Sequence, residues 1–216
     1  MKTYTTVVFD LDGTLLDTLQ DLCDSVNYAL SHNNMPVRTL DEVRRFVGNG
    51  IRNLIIRAVP GGEETPGLET VVADFKAHYA KNCRNKTAPY PGVMEMVRAL
   101  KAKGKKLAIV SNKVDSAVQD LLHCYFEGVI DIAVGEMEGV SRKPAPDMVY
   151  KALELLGSTV EESVYIGDSE VDILTAKNSR MDCISVTWGF RERELLEETA
   201  TGAVLDTPKE VEEYLL

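Results

Sequence analysis

Five short runs rich in apolar residues recur along the chain, at Thr6–Phe9, 106–110, 129–134, 164–166 and 184–186. Each is bounded by polar or glycine residues, which is how strands buried on both faces read. Between them, 92–103, 113–123, 147–156 and 170–179 carry helical spacing. Strands that alternate with helices in this way imply a doubly wound parallel sheet, and the expected class is α/β.

The rhythm breaks once. Residues 16–82 show helical patterns and no convincing strand; Leu16, Leu19, Leu22, Val26 and Leu30 fall three and four apart and make one apolar stripe. Further helices are predicted over 40–47, 51–59 and 68–80, separated by Pro60-Gly61-Gly62 and Thr65-Pro66-Gly67. The expected organisation is an α/β core from 1–15 and 83–216 with a small helical domain from 16–82 inserted after the first strand. Pro89 and Pro91 stiffen the return.

Charge narrows the partners. With 24 Lys plus Arg against 34 Asp plus Glu, the net charge is −10, the wrong sign for neutralising nucleic-acid phosphates. No apolar run approaches the ~18–20 residues needed to span a bilayer, and the opening residues lack an apolar signal core. Neither a nucleic acid nor a membrane is expected as a partner. Cys23, Cys83, Cys124 and Cys183 lie far apart with no CxxC pair, as reduced core thiols in a cytoplasmic protein would. Oligomeric state is open.

Ligands of doubly wound sheets bind beyond the carboxyl ends of the strands, and there this chain concentrates its chemistry. The first run ends in Asp10-Leu11-Asp12-Gly13-Thr14, the second in Ser111-Asn112-Lys113, and the fourth in Gly167-Asp168-Ser169-Glu170-Val171-Asp172. Ser141-Arg142-Lys143-Pro144-Ala145-Pro146-Asp147 holds a lysine among proline-stiffened turns at a helix entry. Brought together, Asp10, Asp12, Asp168 and Asp172 repel one another and need a cation or a proton to coexist. A hard divalent ion such as Mg²⁺ suits carboxylate oxygens, and no His or Cys has ligand spacing for a softer metal. Ser111 and Lys143 offer a hydroxyl donor and a fixed positive charge to phosphate oxygens. The expected chemistry is phosphoryl transfer.

These motifs resemble those of the haloacid dehalogenase-like phosphohydrolases: DLDGTLLDT at 10–18, SNK at 111–113, RKPAPD at 142–147 and GDSEVD at 167–172, in that family's order. The helical insert lies where that family places its cap. The YPGV at 90–93 and VTWGFR at 186–191 are similar to the phosphoglycolate phosphatase-like group. The resemblance implies Asp10 as nucleophile and Asp12 as general acid, then base. It implies Mg²⁺ held by the Asp10 carboxylate, the Asp12 carbonyl and Asp168, with Asp172 in support. Ser111 and Lys143 would bind phosphate oxygens, Lys143 also pairing with Asp10, while Gly13, Thr14 and Asn112 line the phosphate.

The substrate implied is a small phosphorylated metabolite, 2-phosphoglycolate first. A pyrophosphatase or nucleotide phosphatase, a sugar phosphomutase and a phospho-accepting receiver module stay open as alternatives. In the helical insert, Gly48-Asn49-Gly50-Ile51-Arg52 reads either as a substrate loop, with Arg52 meeting a carboxylate, or as an ordinary turn with a solvated arginine. His32, His78 and His123 have no catalytic partner in sequence; Trp188 reads as a loop anchor, and 191–198 as an exposed helical face. Arg180 stands where many relatives have glycine; a positive φ there would cost about 1–2 kcal/mol.

Overall fold

The computed structural model describes residues 2–48 and 50–216. It divides into two compact units, 1–16 with 89–216, and 17–88. The first holds β1 (Thr6–Phe9), α5 (Val93–Ala102), β4 (Lys106–Val114), α6 (Asp115–Tyr125), β5 (Ile132–Glu136), α7 (Asp147–Leu156), β6 (Ser163–Gly167), α8 (Glu170–Ser179), β7 (Asp182–Val186), α9 (Arg193–Thr199), β8 (Ala203–Leu205) and α10 (Pro208–Leu215). The second holds α1 (Leu19–His32), α2 (Leu40–Phe46), α3 (Ile51–Ala58) and α4 (Leu68–Asn82). β2 (Leu16–Asp17) and β3 (Ala88–Pro89) pair as a short ribbon where the chain passes from one unit to the other.

The six-stranded sheet runs β5-β4-β1-β6-β7-β8, parallel throughout. Because side chains alternate across a strand, Val7, Phe9, Leu107, Ile109, Val164 and Ile166 face one layer, formed by α5, α6 and α10. Val8, Ala108, Val110, Tyr165 and Cys183 face the other, formed by α7, α8 and α9. Both faces are dry, which is why the runs are apolar rather than alternating.

Local details depart from the expected boundaries for physical reasons. Val129 and Ile130 donate their N–H groups to Phe126 O in a turn after α6, so β5 begins only at Ile132 although Ile130 is buried. β4 runs on to Val114 past a register shift: Val110 faces Val134, yet Val114 faces Glu136. Lys113 therefore belongs to the strand, not to the following helix. Arg180 does adopt φ 61° at the C-terminus of α8. Cys23 and Cys183 are buried, whereas Cys83 is intermediate and Cys124 exposed, so the core expectation holds for two of the four.

In the helical unit, Leu22, Val26, Ala29 and Leu30 bury the α1 stripe. Thr39 and Glu42 close a capping box on α2. The buried Asp21 carboxylate accepts from Lys86 N at 3.0 Å, Thr87 N at 2.9 Å and Thr87 Oγ1 at 2.9 Å. Those bonds tie 83–88 to α1, so the unit closes at 88 rather than at 82.

Candidate active site

β1 and β6 are neighbours at the sheet centre, and the strands on either side of them wind outward in opposite directions. Such a switch point opens a crevice at the carboxyl ends of the two strands. Asp10 follows β1 directly, its N–H donating to Ile166 O at 2.9 Å and so extending the ladder. The chain then turns tightly, with Leu15 N and Leu16 N both bonded to Leu11 O at 3.0 and 2.9 Å. Gly13 adopts φ 95°, and a side chain there would run into the Asp168 carboxylate. Only glycine meets both demands.

Lys143 organises the centre. Its Nζ donates to Asp10 Oδ1 at 2.7 Å, Asp172 Oδ1 at 2.9 Å and the Tyr165 hydroxyl at 3.1 Å, one partner for each ammonium hydrogen. Tyr165 in turn donates to Asp172 Oδ1 at 3.2 Å. Asp172 Oδ2 accepts from Ser169 Oγ at 2.6 Å and Ser169 N at 3.2 Å. Asp168 accepts from Thr14 Oγ1 at 3.1 Å and Phe190 N at 2.7 Å. Among the described residues no donor reaches Asp10 Oδ2.

Electrostatics follow from burial. Asp10, Asp168, Asp172 and Lys143 are all buried. Burial, then the charge of Asp172, pushes Asp10 well above the usual carboxylate range against the pull of Lys143. Burial works to lower Lys143, but Asp10 and Asp172 overcome it and hold its charge well above the ordinary lysine value. Asp168 is pushed up to about 7 by burial and by Asp172, opposed by the Phe190 N–H and the Thr14 hydroxyl.

One carboxylate oxygen from each of Asp10, Asp168 and Asp172 lies within 4.8 Å of the others. Three buried acids with too few cations, and an oxygen-only donor set, fit a hard divalent ion. Asp12 does not join them through its side chain: its Oδ1 pairs with Lys113 Nζ at 2.8 Å.

Other predicted residues divide. Ser111 is buried within β4, in the stretch of the register shift, and its Oγ accepts from Lys113 N at 3.2 Å. Asn112, expected along the phosphate, instead brackets the Lys143 backbone: its Nδ2 donates to Lys143 O at 3.0 Å and its Oδ1 accepts from Lys143 N at 2.8 Å. Trp188 does anchor a loop, donating to Thr14 O at 3.0 Å. Gly48, Gly50 and Arg52 belong to the helical unit, where Arg52 pairs with Glu63 and Glu69, each at 3.0 Å; Asn49 lies outside the described residues. Sequence reasoning gave no role to Lys113 or Tyr165. The signal for both was weak but present: a lysine two residues after a candidate phosphate serine, and a tyrosine between Val164 and Ile166 inside an apolar strand.

A doubly wound core that seats a lysine-bound aspartate at its switch point, beside two more buried acids, defines an α/β enzyme of carboxylate chemistry. The chain belongs to the haloacid dehalogenase-like hydrolases, whose sequence pattern matches residues 7–186. It is 34% identical over 218 residues to a phosphoglycolate phosphatase of Caulobacter vibrioides, covering 94% of this chain and 89% of that one. A phosphoglycolate phosphatase of Aquifex aeolicus is 32% identical over 185 residues, 85% of each chain. Among solved structures, a Lactobacillus delbrueckii subsp. bulgaricus protein provisionally named phosphoglycolate phosphatase superposes with a TM-score of 0.95 at 38% identity, covering 100% of this chain and 99% of that one. No helix among the described residues is long and apolar enough to cross a membrane.

Proposed function

We propose that the chain is a Mg²⁺-dependent phosphatase that hydrolyses a small anionic phosphomonoester, 2-phosphoglycolate foremost, through an aspartyl-phosphate on Asp10. The observation that carries this reading is the 2.7 Å contact between Lys143 Nζ and Asp10 Oδ1. It turns one oxygen of the carboxylate toward a fixed cation and leaves Oδ2 to attack phosphorus in line. The phosphoglycolate phosphatases to which the chain is 32–34% identical support the substrate.

Asp12 stands two residues on, so it serves proton transfer while Asp10 serves covalent chemistry. It protonates the departing oxygen, then takes a proton from the water that cleaves the aspartyl-phosphate. The Ser111 hydroxyl and Lys143 hold phosphate oxygens, and Asp172 with Tyr165 keeps Lys143 in place. Asp10, Asp168 and Asp172, with the Asp12 carbonyl, would hold Mg²⁺, which supplies positive charge to the transferring group. Within the helical unit Arg52 is already matched by Glu63 and Glu69, so a substrate carboxylate at Arg52 would compete with these two.

The test is phosphate release with Mg²⁺ from a panel of 2-phosphoglycolate, sugar phosphates, nucleotides and pyrophosphate. Turnover should be fastest on 2-phosphoglycolate and should vanish in Asp10→Asn with the circular dichroism spectrum unchanged. Activity retained in Asp10→Asn would remove Asp10 as nucleophile. Preference for pyrophosphate would overturn the substrate, and a long-lived phosphoprotein without turnover would favour a receiver-type module.

A further inference from the structure

Lys113 is a cation with no part in the chemistry above. Its side chain is 6% exposed, and its Nζ lies 2.8 Å from Asp12 Oδ1, itself 18% exposed. Two features of β4 put it there. The register shift between Val110 and Val114 breaks the simple alternation of the strand, and irregularities of this kind re-aim side chains beside sites. The Lys113 N–H also donates to Ser111 Oγ, so the irregular stretch of β4 that presents Ser111 fixes Lys113 as well.

We propose that Lys113 is a positioning residue for Asp12: it orients the carboxyl group and stabilises the negative charge that appears there as Asp12 gives up its proton. The inference rests on the phosphatase reading. In the first step Asp10 Oδ2 bonds to phosphorus, the bond from phosphorus to the ester oxygen breaks, and the Asp12 proton passes to that oxygen, leaving alcohol, aspartyl-phosphate and the Asp12 carboxylate. In the second, water bonds to phosphorus, one of its protons returns to Asp12, and Asp10 leaves as carboxylate with free phosphate. Charge therefore develops on Asp12 in the first step only, facing a cation already in position, which is the arrangement that lowers a barrier most. A pair kept for stability alone has weaker grounds, since withdrawing two charges from water offsets much of their attraction.

The two roles separate by leaving group. An alkyl ester needs its departing oxygen protonated, whereas p-nitrophenolate departs as the anion, and kcat/KM reports the steps through the first bond cleavage. Lys113→Met should lower kcat/KM for 2-phosphoglycolate by about 10²-fold and for p-nitrophenyl phosphate by only a few-fold. Lys113→Arg should restore the ratio. In an Asp12→Ala background, Lys113→Met should change little further, because the two act together. Lys113→Gln reads the same ratio if the Met variant does not fold. An equal loss on both esters, or an undiminished loss in the Asp12→Ala background, overturns the assignment while the phosphatase reading stands. A wild type inactive on both esters overturns that reading and this one with it.

Discussion

At the scale of single residues, the site is a balance of acids against two buried lysines, Lys143 and Lys113. Asp168 is the most informative member, since its pKa is pushed up to about 7 from an ordinary 3.8. Between those values the folded chain without metal retains a proton that the unfolded chain has lost. Its stability therefore falls as pH rises through this window, by at most about 1.4 kcal/mol per pH unit. Chemical denaturation in EDTA should show a lower midpoint at pH 7.5 than at pH 4.5. Mg²⁺ takes the place of the proton and should flatten the difference; a midpoint in EDTA that rises with pH would contradict the account. Asp10, Lys143, Asp168 and Asp172, which the structure brings together, were legible because each sits in a short contiguous motif of the sequence. The partnership of Lys113 was not, because it depends on a register shift that no local pattern encodes. Asn112 misled for a related reason: its neighbour is a phosphate candidate, but its amide is engaged by a backbone 31 residues away in the chain.

At the scale of elements, the strands were legible where burial on both faces makes them uniformly apolar, and obscure where they are short. β8 has only three residues, none fully buried, and its pairing with β7 comes from the sheet, not from its own composition. The helix α8 carries a testable strain. The residue that follows it, Arg180, caps its C-terminus and holds φ 61°, a region that costs an L-residue roughly 1–2 kcal/mol and that glycine occupies freely. Arg180→Gly should raise stability by roughly 0.5–1 kcal/mol, the gain being trimmed by the greater freedom of glycine in the unfolded chain. The urea midpoint reads this directly. No gain, or a loss, would mean that the arginine side chain compensates for its backbone.

At the scale of the whole molecule, the two-unit division followed from one observation in the sequence, a long strandless stretch between alternating elements. Its limits did not, because the bonds that join 86 and 87 to Asp21 link positions 65 and 66 residues apart. The acid cluster also predicts a global response. A divalent ion that binds only the folded chain stabilises it by mass action, about 2.7 kcal/mol at a hundredfold excess over its dissociation constant. The melting temperature should climb with Mg²⁺ and return on chelation. The same titration on Asp168→Asn should be much flatter, and an unaltered response there would place the ion elsewhere.

The passage points at 16/17 and 88/89 fall in a single connection, after the loop that carries Asp10 and before α5. Every partner of Lys143 and Asp168 named above lies outside residues 17–88. A graft that exchanges this block for that of a relative would thus leave the reacting groups wired as they are, and evolution can retarget such a protein by editing one continuous cassette.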